Sequence, residues 1–461
     1  MITVSNVITI DNPPAELRSW CTKNLRLRNP DYDKKQRMHF WVGNTPEWLW
    51  LYEVHGDQLV LPYGTLHQIA KMLPGEEAFF DFKYQAPIDY GCKIPLYDYQ
   101  QEAVEEVYWK CTGILQSPAG SGKTQMGLAL IAKHGKRALW LTHTKDLLQQ
   151  SKDRAKQYMG EALLGTITEG KVNIGSGITF ATVQTMCNLD LAQYKDMWDV
   201  IIVDECHRVA GTPTAVSQFY KVLNSLAARH KYGLSATVHR SDGLIKATFA
   251  IIGDVVYTVP AEAVADKIMK VGINPVPTGI GLSRACLNTD GTLNYAKLIG
   301  YLAESEERNR LIVESITANR DKPSLILSDR LAHLETLMSM LPADMREDAV
   351  MVSGKMTTKK GKAEREKAIA DMRTGEKRYL FATYSLCKEG LDIPRLERLY
   401  MGTPQKDYAV ITQSIGRIAR THNGKEGPVV YDFVDDIQYL VKAYKKRCTT
   451  YRKNGAYFVE G

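Results

Sequence analysis

From about residue 91 onward the chain alternates short, unbroken apolar runs with longer segments whose apolar residues recur every three or four positions. The runs "GILQSP", "RALWLTH", "ITFATVQ", "DVIIVDE" and "KYGLSAT" fall within residues 91–262. An uninterrupted apolar run belongs to a strand covered on both faces, and helical segments between such strands give a parallel sheet in an α/β domain. The alternation restarts with "SLILSD", "DAVMVSG", "RYLFATY", "LERLYMG" and "GPVVYDF" over about 323–433. Two α/β lobes in tandem are therefore expected, although no close internal repeat relates them.

Residues 1–90 have another rhythm. Aromatics crowd into "HFWVGNTPEWLWLYE", and alternating apolar positions broken by Gly, Asn and Pro predict short strands and turns in a small α+β domain. The expected division is an accessory N-terminal domain over 1–90, a first lobe over 91–262, a linker or insertion over 263–320, a second lobe over 321–440 and a basic tail helix over 441–461. The linker opens with "GINPVPTGIGL" and closes with the charged "AESEERNRLIVESI". In the tail, helical spacing turns Val441, Tyr444 and Cys448 inward.

Composition narrows the class. A chain of 461 residues with 44% hydrophobic content can fill several cores, which excludes a disordered protein. The formal charge of +7 suits an anionic partner, and its distribution says more. From Arg18 to Arg37 there are seven basic residues against two acidic ones; from Lys442 to Lys453 there are six and none. Such clusters are either solvated faces or tracks for a phosphate backbone. The eight cysteines form no C-x-x-C pair and no Cys/His cluster at zinc spacing, which fits reduced thiols. With neither a charged-then-apolar leader nor a membrane-length apolar run, a soluble cytoplasmic protein is expected, with no membrane partner.

Three motifs carry chemistry. "SPAGSGKT", Ser117 to Thr124, stands between the apolar "GIL" and the helical "QMGLALIAKH", the strand–loop–helix setting of a phosphate-binding loop. Gly120 and Gly122 let backbone N–H groups close around phosphates, Lys123 reaches the outer phosphates, and Thr124 can hold a magnesium ion. Ser117 replaces the glycine of the strict pattern. "VIIVDECH" ends a strand with two acids: either a solvated terminus, or Asp204 as the Mg2+ ligand and Glu205 as the base for an attacking water. His207 is either a satisfied polar residue or a relay between nucleotide and second lobe. "QSIGRIAR" places Arg417 and Arg420 three apart on one helix face. Alone they read as surface charges; beside a phosphate loop they read as cations for a transferring phosphoryl group.

With these motifs in order the chain resembles the superfamily 2 helicases of DExH type over roughly residues 93–435. The likeness runs through "LYDYQQEAV", "SPAGSGKT", "LTHTKDLLQQ", "ATVQTM", "DECH", "LSAT", "ATYSLCKEGLDIP" and "QSIGRIAR". It implies two tandem RecA-like parallel-sheet lobes with a small α+β N-terminal domain, an ATP-dependent DNA helicase, and ATP with Mg2+ as cofactors. It also implies roles: Gln100 for the adenine edge, Ser121 in the phosphate cradle, Gly390 and Asp392 for nucleotide and strand binding, and His207, Ser235, Thr237 and Gln413 for coupling. Thr142, Thr144, Thr182 and Thr383 would touch the nucleic-acid backbone, and Arg417 and Arg420 would stabilise the transferring phosphoryl group when the lobes close. Tyr97 and Asp98 depart from the Arg and Pro that such relatives often carry, which leaves base preference open.

"DECH" with "GLSATVHRSDG", including Arg240 and Asp242, resembles the DNA-directed branch and in particular phage branch-migration and recombination helicases. The expected substrate is forked or junction DNA, with movement 3′ to 5′. The N-terminal domain is expected to grip it through Arg26, Arg28, Lys34, Lys35 and Arg37, with at least two of Trp41, Trp48 and Trp50 filling the domain's own core. The alternatives are a double-strand translocase, a nucleotide-gated clamp and an RNA helicase.

Overall fold

The computed structural model describes residues 1–91, 94–118, 120–238, 244–260, 262–264, 268–354, 356, 358–388, 391 and 393–459. They divide into two compact units, Met1–Pro118 with Gly122–Pro260, and Ala119–Ser121 with Ala261–Gly461. The architecture is α/β, with a parallel-sheet lobe in each unit and a small N-terminal domain in the first. No helix among the described residues is long and apolar enough to cross a membrane.

In the first unit an eight-stranded sheet is centred on Ala138–Thr142, Val200–Asp204, His230–Ser235 and Thr112–Gln116, all parallel. Every residue of Ala138–Thr142 and Val200–Asp204 is buried, as strands covered on both faces must be. The sheet also takes in the fully buried Ile178–Thr182 and Leu164–Thr168, Lys171–Asn173 and Val255–Thr258, whose apolar signal is shorter.

The N-terminal domain has a five-stranded sheet ordered Glu53–His55, Gln58–Pro62, Val7–Asp11, Ile2–Val4, Ala78–Phe80. A separate two-stranded ribbon pairs Arg26 with Trp50, Leu27 with Leu49 and Arg28 with Trp48. Period-two alternation sends Leu27 and Leu49 into the core and the other four residues to the opposite face. The expectation that at least two tryptophans fill the core is therefore corrected: Trp41 is 86% exposed, Trp50 is 52% exposed, and half-buried Trp48 lies under the guanidinium groups of Arg26 and Arg28.

This domain shares one apolar core with the first lobe, in which Ile8, Leu59 and Tyr63 join Leu139, Ile201 and Phe219. The Tyr63 hydroxyl donates to the Arg229 carbonyl (2.7 Å), and the enclosed Lys231 amine donates to the carbonyls of Leu223 (2.7 Å) and Asn6 (3.2 Å). Gly64 fits because a Cβ there would stand 2.5 Å from the Ala250 carbonyl oxygen.

The second unit holds a seven-stranded, all-parallel sheet: Ala349–Val352, Tyr379–Thr383, Ser324–Ser328, Arg398–Met401, Val429–Val434, Gly272–Pro277, Tyr457–Phe458. The stretches expected as linker and tail thus each add a strand. Gly272–Pro277 pairs residue for residue with Val429–Val434 despite two prolines. Pro275 and Pro277 share the strand side whose other neighbour pairs only at Gly272 and Ile273, so their missing N–H groups forfeit nothing.

The helix Gln438–Lys453 is rotated from the expected frame. Leu440, Ala443, Arg447, Thr450 and Tyr451 are buried, while Val441, Tyr444 and Cys448 are half-buried flanks. Arg447 turns inward because Asp432 receives both its Nε (2.8 Å) and Nη2 (2.9 Å), and the Tyr451 hydroxyl donates to the same carboxylate (2.7 Å).

Candidate nucleotide and nucleic-acid site

The phosphate loop leaves the strand Thr112–Gln116 and enters the helix Lys123–His134. Its start is pinned where the Ser117 N–H donates to the Ser235 carbonyl at the end of the neighbouring strand (2.9 Å). Ser117 is fully buried, so the residue standing in place of glycine is part of the packed strand end. Gly120 and Gly122 adopt φ +85° and +81°, the left-handed region that glycine enters at least cost. A Cβ on Gly122 would collide with the side-chain amide of Gln100, which is itself buried and accepts the Tyr97 N–H (3.0 Å). Gln100 thus lies against the loop. Ser121 is buried, and Lys123 and Thr124 are half-buried on the first helical turn. The Lys123 ammonium donates weakly, at 3.4 Å, to the carbonyls of Ser117 and Pro118.

Asp204 and Glu205 stand at the end of the strand Val200–Asp204. Asp204 accepts the Glu205 N–H (2.9 Å) and the Ser151 hydroxyl (3.2 Å). Burial first, and then the neighbouring Glu205 charge, push its carboxyl up to about 6, while Lys123 and Ser151 act in the opposite sense. Glu205 occupies the left-handed region at φ +48°, which for a residue with a side chain costs about 1–3 kcal/mol and is typical of functional turns. His207 Nδ1 lies 3.2 Å from Glu205 Oε2 and 3.0 Å from Ser235 Oγ. Ser235 Oγ donates to the Thr237 carbonyl (2.6 Å) and accepts the Thr237 N–H (3.1 Å). Glu205, His207, Ser235 and Thr237, predicted separately, thus form one connected network.

These residues fit nucleotide and Mg2+. A Cβ at Gly122 would clash with Gln100 beside the loop, and buried Asp204 next to half-buried Glu205, two carboxylates that repel each other, is suited to a divalent cation. Thr124 and Asp204 would hold the ion, and Lys123 would trade its long carbonyl contacts for phosphate oxygens.

The threonines assigned to the strand backbone lie at carboxyl ends of strands, where open α/β sheets bind ligands. Thr142 and Thr182 pair in register, with Thr142 Oγ1 donating to the Thr144 carbonyl (3.0 Å) and Thr182 Oγ1 to Thr185 (2.9 Å). Thr144 caps the helix Lys145–Met159. Sequence reasoning passed over His143, whose Nδ1 lies 3.1 Å from the Gln184 amide and whose pKa is lowered chiefly by burial and then by Arg208. Its place inside "LTHTKDLLQQ" was the available signal.

In the second lobe Thr383 ends its strand and shares a hydrogen bond with Ser385 (2.9 Å). Gln413 and Arg417 lie half-buried on the helix Tyr408–Ile418, and each is engaged. Arg420 does not share that helix face: the helix stops at Ile418, and Arg420 forms an isolated bridge with Ile268. The stop is built by the Lys425 amine, which donates to the carbonyls of Ile418 and Arg420. Gly390, Asp392, Arg240 and Asp242 lie outside the described residues.

The five N-terminal cations divide. Arg28 is paired with Asp33 and Glu47, Arg26 lies 4.5 Å from the Trp48 ring centre, and Arg37 Nε donates to the Asp33 carbonyl (3.3 Å). Lys34 and Lys35 instead line a cleft against the first lobe.

Two family models match the chain: the res subunit of type III restriction enzymes over residues 93–240, and the helicase conserved C-terminal domain over 307–422. L396 of Acanthamoeba polyphaga mimivirus, named as an ATP-dependent RNA helicase, is 27% identical over 74% of this chain and 64% of its own length. D10 of Escherichia phage T5, named as a helicase, is 26% identical over 81% of this chain and 79% of its own. The DNA 3′-5′ helicase XPB of Kineococcus radiotolerans is 27% identical over 60% of this chain and 48% of its own. Among solved structures, a fragment of an HsdR subunit of a type I restriction enzyme from Vibrio vulnificus has the same fold, with a TM-score of 0.56 at 16% identity, covering 92% of this chain and 79% of its own. With a phosphate loop, a "DECH" strand end and both helicase domains in order, the chain belongs to the superfamily 2 helicases.

Proposed function

We propose that the protein is an ATP-dependent motor that unwinds or branch-migrates forked and junction DNA. The observation that carries this reading is the joined network from Lys123 and Asp204 through Glu205 and His207 to Ser235 and Thr237, a complete hydrolytic set tied to a neighbouring strand end. Lys123 holds the outer phosphates. Glu205 orients the attacking water and accepts its proton, and the left-handed backbone at Glu205 fixes where that carboxylate stands. Thr124 and Asp204 would hold Mg2+, which would supply charge neutralisation on the phosphates. Arg417 and Arg420 are assigned the charge that develops on the transferring phosphoryl group, a role worth about 10³–10⁵ in rate in related systems. Thr142, Thr144, Thr182 and Thr383 are assigned to the nucleic-acid backbone, and Gln413 to coupling.

DNA is favoured over RNA by the name of the XPB relative; the mimivirus relative keeps RNA as the rival. The test measures ATP turnover and strand release in parallel on single strands, blunt duplex, a forked duplex, a four-way junction and an RNA duplex. Lys123→Ala and Glu205→Gln serve as controls. Release from forks and junctions that vanishes in both variants is the expected result. Turnover on blunt duplex without release would replace the helicase by a translocase, tight binding with negligible turnover would leave a clamp, and preferential release of RNA would overturn the DNA assignment.

A further inference from the structure

The N-terminal domain and the first lobe enclose a cleft of about 510 Å³, within the size range of small-ligand sites. One wall is the helix Pro30–Arg37 and the loop after it; the other is the start of the helix Pro213–Ser225. Its floor is built rather than incidental. Asn29 is buried, accepts the Asp31 N–H (3.0 Å) and donates to the Pro46 carbonyl (2.7 Å), fixing helix to loop, and Leu49 is the inward residue of the ribbon.

The chemistry of the walls is mixed in a specific way. Lys34 and Lys35 face the cleft with no carboxylate in salt-bridge contact among the described residues, and Lys35 Nζ donates only to Thr45 (2.7 Å). One acid, Asp31, also lines the cleft, so the cations outnumber it. Of the neighbouring arginines, Arg28 is ion-paired and Arg26 is stacked on Trp48, while exposed Arg37 adds to the positive charge of the same helix. The apolar wall includes Met38 and Phe40, 49% and 59% exposed, and Trp41 follows at 86%. Cations beside exposed aromatics are the arrangement that holds a single strand: ammonium groups at the phosphate, a ring face for the base.

We propose that this cleft binds one unpaired nucleotide of a nucleic-acid strand, its phosphate at Lys34 and Lys35 and its base against Phe40 and Met38. This deepens the reading of the chain as a nucleic-acid motor and rests on it. A fork with single-stranded arms offers such a nucleotide already unpaired, whereas a paired duplex must first give one up at a cost. The cleft thereby gives the N-terminal domain a means of preferring branch points, with Thr214 at its mouth supplied by the first lobe.

The test uses the full chain without ATP, so its outcome is separate from the turnover assay. The probe is a DNA duplex carrying one unpaired 2-aminopurine, compared with the same duplex fully paired. The expected result is brightening of the unpaired base and about tenfold tighter binding of the bulged duplex, the scale of one base stacked on a ring. Lys34→Ala with Lys35→Ala should abolish that preference and lower the salt slope of binding by about 1.4, two single-strand phosphate contacts at about 0.7 each. Phe40→Ala should remove the brightening. Thr214→Glu, on the other wall and solvent-exposed, should weaken the bulged duplex selectively. Equal binding of bulged and paired duplex by the native chain, or unchanged preference in these variants, would overturn the proposal, as would deoxyadenosine monophosphate competing as well as the bulged strand.

Discussion

Lys231 offers a quantitative test of how the N-terminal domain is held. Its amine is enclosed, bonded to the carbonyls of Leu223 and Asn6, and lies 4.9 Å from the Tyr63 ring centre. Burial alone pushes its pKa down to about 7, against about 10.4 for a lysine in an unfolded chain. Between those values the unfolded chain binds the extra proton, so stability rises with pH; below the folded value both states are protonated and the dependence vanishes. From pH 7 to pH 9 the gain is about 2 kcal/mol, or about 4–8 °C in melting temperature for a unit of this size. Lys231→Met fills the same space without a titrating group. Its loss of two hydrogen bonds shifts stability equally at every pH, so the difference between native chain and variant isolates the lysine. Thermal melts at pH 7, 8 and 9 should show the native chain gaining on the variant across that range. Parallel profiles would refute the enclosure of this amine and with it the docking through Asn6 and Tyr63. Removing residues 1–90 is the poorer experiment, because it would strip the shared core from the first lobe.

Other outcomes follow from single contacts. Glu205→Gln should lower ATP turnover by about 10²–10⁴ while nucleotide binding persists, as equilibrium binding of a fluorescent ATP analogue would show. Gly122→Ala forces a Cβ into Gln100 at φ +81° and should abolish that binding, with about 1–3 kcal/mol of added backbone strain. Arg447→Ala leaves Asp432 buried without its cation and should cost about 3–5 kcal/mol in denaturant unfolding. Lys445→Ala and Lys446→Ala, on the exposed face, should stay within about 0.5 kcal/mol of the native chain.

The candidate site of this chain was legible because its motifs sit where buried strands end. "GIL", "ALWLT" and "VIIVD" report themselves by apolar content, and the loops that follow carry the motifs at fixed offsets. What escaped was decided by partners distant in sequence. Gly272–Pro277 is a strand because Val429–Val434 lies beside it, which no local pattern announces. The Arg447 side chain turns inward only because Asp432 waits there, and hydrophobic periodicity treats any arginine as outward. Trp48 and Trp50 were misplaced for the converse reason: Arg26 and Arg28, on the facing strand, supply ring partners at the surface in place of a core.

The network around His207 brings the Glu205 carboxylate and the end of a neighbouring strand to one imidazole nitrogen. His207 Nδ1 stands within reach of two acceptors, the Glu205 carboxylate and the Ser235 hydroxyl, at 3.2 and 3.0 Å. When Nδ1 carries a hydrogen it can satisfy only one of them well. The hydrogen bond is made to Ser235, and the Glu205 carboxylate stands beside it as a second charge-bearing acceptor. Ser235 already donates to the Thr237 carbonyl and accepts the Thr237 N–H, so any change at its oxygen bears directly on that turn. The same strand end holds the start of the phosphate loop through the Ser117 N–H. The start of the phosphate loop and the turn at Thr237 are thus both fastened to Ser235, the residue that His207 contacts.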